Sequence, residues 1–193
     1  KHLMPYLPNR KDLTVLDLGA GTGFFSDILT TQFDHVIGVD LSKDMLNYAQ
    51  ETRNKEINWV AGNANHLPFQ DNSIDLIYSN LMIQWCRPLN LAINEILRVL
   101  KPGGLFVFST LVDGTLLELK SSWAQVDDDK HVIDFLTEQN LTSIVNTEKS
   151  RLLKHNNQDI VLEYENVLHL AHELKGLGAN HVPDKVNKGL AGK

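Results

Sequence analysis

One cysteine, Cys86, is all the thiol chemistry that the chain carries. It cannot close an internal disulfide and has no companion at metal-ligand spacing, so a reduced compartment, a structural thiol and no metal site are expected. Long apolar runs are missing too. Nothing approaches the roughly 20 residues that span a bilayer, and the N-terminus lacks the basic start, apolar middle and small-residue cleavage site of a secretion signal. A cytoplasmic protein with no membrane partner is therefore expected. Positive charge is scarce: a formal net charge of -6 argues against wholesale nucleic-acid binding, which needs a basic face. The scarcity is uneven, because residues 1–148 hold 11 Lys and Arg against 19 Asp and Glu, whereas residues 149–193 hold 7 against 5. An acidic partner could be met only by that tail, through Arg151, Lys154, His155, Lys175, Lys185 and Lys188, which reads equally well as an ordinary solvated face. No internal repeat or low-complexity segment is evident.

What is present is enough apolar material, 42% of 193 residues, for one core and hence one domain, 1–193. Short apolar, β-branched runs at Thr14–Leu18, His35–Val39, Ile57–Ala61, Ile74–Ser79 and Leu105–Leu111 read as buried parallel strands. Helical spacing falls between them at Thr22–Thr31, Ser42–Asn54 and Leu89–Leu100, with Ser42 and Asn90 as candidate caps. Lys101-Pro102-Gly103-Gly104 ends the third helix and feeds the next strand. This alternation predicts an α/β fold, a doubly wound, mostly parallel Rossmann-like sheet with right-handed crossovers over 12–112. Beyond it, 113–140 and 159–175 carry amphipathic spacing and are expected as a helical lid and C-terminal cover, with Ser143–Thr147 and Arg151–His155 as strand candidates between them. Val186–Lys193 reads as a loop or frayed tail.

The most informative stretch is Val15-Leu-Asp-Leu-Gly-Ala-Gly-Thr-Gly23, a strand that runs into three alternating glycines and then a helix. Such a turn lets a ligand approach the backbone closely, and a helix start offers unpaired N–H groups. In a dinucleotide fingerprint the third glycine falls three positions after the second; here that position is Phe24, and Asp17 stands just inside the strand. A cationic, amino-acid-bearing ligand suits this arrangement better than a diphosphate. Asp40, at the tip of the second strand, is placed to accept hydrogen bonds from both hydroxyls of a ribose.

Asp17-Leu-Gly-Ala-Gly-Thr-Gly23, Asp40-Leu-Ser-Lys-Asp-Met45, Gly62-Asn-Ala64 with Leu67-Pro-Phe69, and Arg98-Val-Leu-Lys-Pro-Gly-Gly104 resemble the motif series of class I methyltransferases. The resemblance implies S-adenosyl-L-methionine as cofactor. Its contacts would be Asp17, Gly19, Ala20, Gly21 and Gly23 on the first turn, Asp40, Leu41 and Met45 after the second strand, Asn63 and Ala64 after the third, and Asn80 after the fourth. The family's third loop usually reads Gly-Asp-Ala, its acid facing the adenine amino group. Asn63 replaces that acid here and is expected to accept the same hydrogen bond through its amide oxygen.

A narrower resemblance lies in Ser79-Asn-Leu-Met-Ile-Gln-Trp85, in Phe108-Ser-Thr-Leu-Val-Asp-Gly-Thr-Leu116, in Trp123 with Asp127 and His131, and in Leu174-Lys-Gly-Leu-Gly-Ala-Asn-His181. This set is similar to the malonyl-acyl-carrier-protein O-methyltransferases of biotin synthesis, which esterify the free malonyl carboxylate so that fatty-acid synthesis accepts it as a primer. It implies a malonyl-bearing acyl-carrier protein as partner and Gln84, Trp85, His131 and Lys175 as substrate contacts. Ile133 departs from the asparagine common in that family. Relative to it, neither the usual N-terminal helix nor a final strand after Gly189-Leu-Ala-Gly192 is expected. A carboxylate is ionised at neutral pH, so its methylation needs no general base, and no catalytic side chain is expected.

Other readings remain open. Cofactor motifs do not select acceptors, so another small acid or a quinone precursor could be methylated. A nicotinamide-dependent oxidoreductase is disfavoured by Phe24 and by the absence of an apparent hydride-transfer set such as Tyr-x-x-x-Lys. A non-catalytic nucleotide-binding module would bind cofactor without turnover.

Overall fold

The computed structural model describes residues 3–166, 168–170 and 172. Five parallel strands form one sheet in the order β3-β2-β1-β4-β5: β1 Thr14–Leu18, β2 His35–Asp40, β3 Asn58–Ala61, β4 Ile74–Asn80 and β5 Leu100–Ser109. Helices α1 (Phe24–Leu29), α2 (Lys43–Thr52) and α3 (Leu89–Val99) make the crossovers. Strand order therefore runs outward in two directions from β1 and β4, and in such sheets ligands bind outside the carboxyl ends at that reversal.

Side-chain alternation along the strands builds a core on each face. Leu16, Leu18 and Ile77 join Ala92, Ile93, Ile96 and Val99 of α3 on one side. Val15, Leu76 and Tyr78 join Leu29, Phe33 and Val36 on the other. Burial of Leu89, Ala92, Ile93, Ile96 and Val99 follows the three-to-four-residue spacing of one helix face. Helix α5 (Glu138–Val145) adds Leu141, Ile144 and Val145 to the α3 side. Gly38 of β2 is buried because the Trp59 ring lies where its side chain would be.

Several expectations are corrected. Ser42 caps α2 through Met45 N–H, but α3 starts behind Pro88, and Asn90, inside its first turn, makes no cap. Lys101–Gly104 does not separate helix from strand. β5 already begins at Leu100, and its pairing with β4 jumps from Ile74–Leu100 to Leu76–Leu105, so these residues are a bulge in β5. Lys101 Nζ closes it on Asp75 at 2.8 Å, and Asp75 Oδ2 also accepts the Thr14 amide at 3.0 Å, which joins the starts of β1, β4 and β5. Ser143–Val145 is helical because Leu141, Ile144 and Val145 repeat at helical spacing. Arg151–His155 has no regular structure.

The chain forms two compact units, Lys1–Leu111 with Glu138–Leu152, and Val112–Thr137 with Leu153–Lys193. In the second, the predicted helix over 113–140 shrinks to α4, Leu117–Trp123. Three consecutive carboxylates, Asp127 to Asp129, follow its end, where the helix dipole disfavours negative charge. Asp134 instead collects Lys120 at 3.0 Å and Lys130 at 2.7 Å. Over 159–166 no helix forms, and Ile160 and Leu162 are exposed; without apolar packing a short amphipathic segment has little reason to coil. Among the described residues of 159–175 helix appears at 168–170 and 172, and Val186–Lys193 lies outside the described residues. No helix among the described residues is long and apolar enough to cross a membrane.

Between β3 and β4 the chain is held by a fork of charge. Arg98 donates to the carbonyls of Leu67 at 2.9 Å and Phe69 at 2.8 Å, and to Asp71 at 2.7 Å. Glu95 accepts from Arg98 Nε and from the Leu67 amide, both at 2.8 Å. Arg98, with help from that amide, holds the Glu95 carboxyl down at about 2. A point charge cannot reproduce a planar fork. Arg98→Lys is therefore expected to lower stability by about 1–3 kcal/mol, read as an earlier urea midpoint with an unchanged slope.

Candidate functional site

Leaving β1, the backbone turns at Gly19 with φ +81°, and the Met82 side chain occupies the space that a Cβ there would need. Only glycine satisfies both conditions. The amides that follow point inward. Gly19 and Ala20 both donate to Val39 O, at 2.8 and 2.9 Å, and Gly23 donates to Ala20 O at 2.9 Å. The Gly21 amide donates to Asp40 Oδ2 at 2.8 Å. With these four amides engaged within the protein, the turn itself offers a diphosphate fewer donors than a dinucleotide loop does.

Acceptors dominate the site instead. Besides Gly21, Asp40 takes the Ser42 amide on Oδ1 at 2.8 Å, so each carboxylate oxygen has one backbone donor and keeps lone-pair capacity for another. Asp17 is only 2% exposed and accepts from Ser26 Oγ at 2.6 Å. Burial, opposed by that hydrogen bond and reinforced by the charge of Asp40, raises its pKa to about 7. Burial and then Asp17 raise the Tyr78 phenol to about 12.

The neighbouring strand ends complete the edge. Gly62 N–H donates to Asp40 O at 3.0 Å, which ties the β3 loop to the tip of β2. Asn63 is exposed, and its Oδ1 accepts the Asn65 amide at 2.9 Å, so the oxygen expected to face a base already serves its own loop. Ala64 packs against the core. Leu41 and Met45 are exposed beside Asp40, 72% and 46% respectively, an arrangement suited to covering a flat apolar ligand. Past β4, Ser79 Oγ donates to Leu18 O at 2.8 Å. Asn80 Oδ1 accepts from Ser109 Oγ at 2.8 Å. Leu81 then adopts φ +52°, a conformation that costs about 1–3 kcal/mol outside glycine; its amide donates to Ser109 O at 3.0 Å.

Gln84 bonds back to Leu81 O at 2.7 Å and accepts from Thr110 Oγ1 at 3.1 Å, and Trp85 is 38% exposed. Ser26 had no sequence signal, and Ser79, Met82, Ser109 and Thr110 stood in the resembling stretches without a role of their own, since their partners lie on other elements. In the second unit, His131 stacks on Trp123 with centroids 3.9 Å apart, and its Nε2 lies 2.8 Å from Asp127 Oδ1. Lys175 lies outside the described residues. Among the described residues no cluster of three or more His, Cys, Asp or Glu could hold a metal.

The methyltransferase domain family matches residues 16–108. The chain is 40% identical over 192 residues to the biotin biosynthesis bifunctional protein BioHC of Cellvibrio japonicus, covering 99% of this chain and 38% of that protein. It is 34% identical over 190 residues to the malonyl-[acyl-carrier protein] O-methyltransferase of Pectobacterium atrosepticum, covering 98% of this chain and 74% of that one. Its fold is similar to the crystal structure of an S-adenosylmethionine dependent methyltransferase from Mesorhizobium loti, with TM-score 0.54 and 31% identity over 57% of this chain and 52% of that one. The chain thus spans well under half of the bifunctional relative and about three quarters of the Pectobacterium one.

The Asp17 carboxyl makes stability depend on pH. Its folded pKa of about 7 lies above the ordinary 3.8, so the folded protein keeps a proton that the unfolded chain releases, and stability falls as pH rises between those values. The loss amounts to a few kcal/mol at about 1.4 kcal/mol per unit. Asp17→Asn keeps an acceptor for Ser26 and has no proton to lose. From pH 5 to pH 7.5 its Tm should gain several degrees on that of the unaltered protein and then level off. A constant Tm difference across that range would mean that Asp17 titrates normally.

Proposed function

The chain belongs to the malonyl-[acyl-carrier protein] O-methyltransferase family, and on that footing we propose that it transfers a methyl group from S-adenosyl-L-methionine to the free carboxylate of a malonyl-acyl-carrier protein, early in biotin biosynthesis. The observation that carries this reading is the turn after β1, four of whose amides are engaged within the protein, beside the partly exposed Asp40 and next to the buried Asp17. Such an acceptor set suits a cation bearing a ribose better than a diphosphate.

When bound, that cofactor supplies an electrophilic methyl group on a positively charged sulfur. Asp40 holds the ribose hydroxyls with the lone pairs that Gly21 and Ser42 leave open, and these two amides fix its orientation beforehand. Asp17 offsets positive charge from beneath the turn, favouring the cation as its own proton leaves. Leu41, Met45 and Ala64 flank the base, and Asn80, held by Ser109, fixes the edge of β4. A malonyl carboxylate arrives ionised, so no side chain needs to remove a proton. The protein's task is to align that oxygen and exclude water, which strengthens attraction between anion and cation. Gln84 and Trp85 follow β4 on the same edge and are assigned to the malonyl group.

Three measurements follow. Incubated with S-adenosylmethionine, malonyl-carrier protein should gain the mass of one methylene by intact-mass spectrometry, whereas free malonate and a quinone precursor should not. If the basic C-terminal residues dock the acidic carrier, its apparent KM should rise with salt while that of a small malonyl thioester stays level; equal responses would remove the docking role. Asp40→Ala should weaken S-adenosylhomocysteine binding by calorimetry at least tenfold, as expected for losing hydrogen bonds to a charged acceptor worth about 1.5–3 kcal/mol. Unchanged affinity would place the ribose elsewhere.

A further inference from the structure

In a ribose the 2′ and 3′ hydroxyls share one edge, and the base and the 5′ substituent lie at opposite ends. Asp40 is flanked by the glycine turn on the β1 side, through Gly21, and by the β3 loop on the other, through Gly62. A nucleoside with its hydroxyls on Asp40 and its charged 5′ substituent over the turn must therefore lay its base against residues 62–65.

Asn63 is the exposed side chain at that place. The Asn65 amide, 2.9 Å from it, needs an acceptor and so fixes which end of the Asn63 amide faces the loop. The oxygen faces inward, and Nδ2, on the other side of the planar group, faces outward with two N–H donors. Asn65 Oδ1 is buried without a partner and cannot serve a base from there.

We propose that Asn63 offers a base a hydrogen-bond donor in place of an acceptor, so that the site accepts purine nucleosides with a 6-oxo group about as well as those with a 6-amino group. The inference rests on the methyl-donor reading above and concerns only how the base is read. An outward N–H matches N1 of adenine or O6 of hypoxanthine but has nothing to offer the N6 amino group. A carboxylate of the same shape would give one oxygen to the Asn65 amide and the other to N6, and would repel O6. A site built to pair with a polar group discriminates strongly against the analogue that mismatches it, so position 63 is a specificity determinant.

Calorimetric titration of the full chain with S-adenosylhomocysteine and S-inosylhomocysteine tests this without turnover. The unaltered protein should bind the two within about threefold of each other. Asn63→Asp should favour the adenosyl ligand by at least tenfold, equivalent to about 1.4 kcal/mol. Asn63→Ala, which removes the side chain from the comparison, should bind both more weakly at a ratio near one. A tenfold or greater adenosyl preference in the unaltered protein that Asn63→Asp leaves unchanged would overturn the proposal. No heat with either ligand, in the unaltered protein and in both variants, would instead overturn the methyl-donor reading, and this inference with it.

Discussion

The clasp between the turn after β1 and the tip of β2 is the constraint on which the rest of the site depends. Val39 O takes two amides, from Gly19 and Ala20, and the Asp40 carboxylate takes a third, from Gly21. These bonds have two effects. They engage three of the turn's donors within the protein, and they orient a carboxylate with acceptor capacity to spare. Gly19 makes the clasp attainable, since its backbone conformation and the Met82 side chain against it both exclude a Cβ.

Electrostatics then follow from depth. Asp17 and Asp40 are close enough for each to feel the other's charge, yet one is buried beneath the strand end and the other is half-exposed at its tip. Burial disfavours the charged form of the deeper group, which becomes the proton-holding member of the pair. Under the proposed reading, a cation arriving nearby would favour ionisation of that deeper group, which suits a reaction whose difficulty lies in approach and desolvation.

Support for the edge comes from residues that touch no ligand in this account. The Arg98 fork and Glu95 hold the β3–β4 connection, and Ser79 and Ser109 secure the end of β4 to β1 and β5. Arg98 belongs to a stretch that sequence resemblance alone singles out, and its position explains its value: three hydrogen bonds from one guanidinium hold a loop that has no regular structure of its own, and two more hold Glu95, which accepts the Leu67 amide.

Much of this was legible in the residues. Buried parallel strands must be apolar throughout, so Thr14–Leu18 and Ile74–Ser79 could be placed by composition, and the glycine turn with Asp40 marked the ligand edge by spacing. Where the reading failed, local pattern had no packing to enforce it. The apolar spacing over 113–140 yields α4 and, at its end, the start of α5, and Ile160 and Leu162 end exposed. Lys101–Gly104, read as a terminator, is a bulge because pairing with β4 resumes beyond it. The sequence by itself determined the sheet, its candidate ligand edge and the acids on it, since these depend on periodicity and on residue type at a turn. Only the tertiary structure decided which way the turn's amides point, that Asp17 holds its proton, and that Asn63 turns its oxygen inward, because each depends on partners that chain order does not bring together or on an orientation that residue type leaves open.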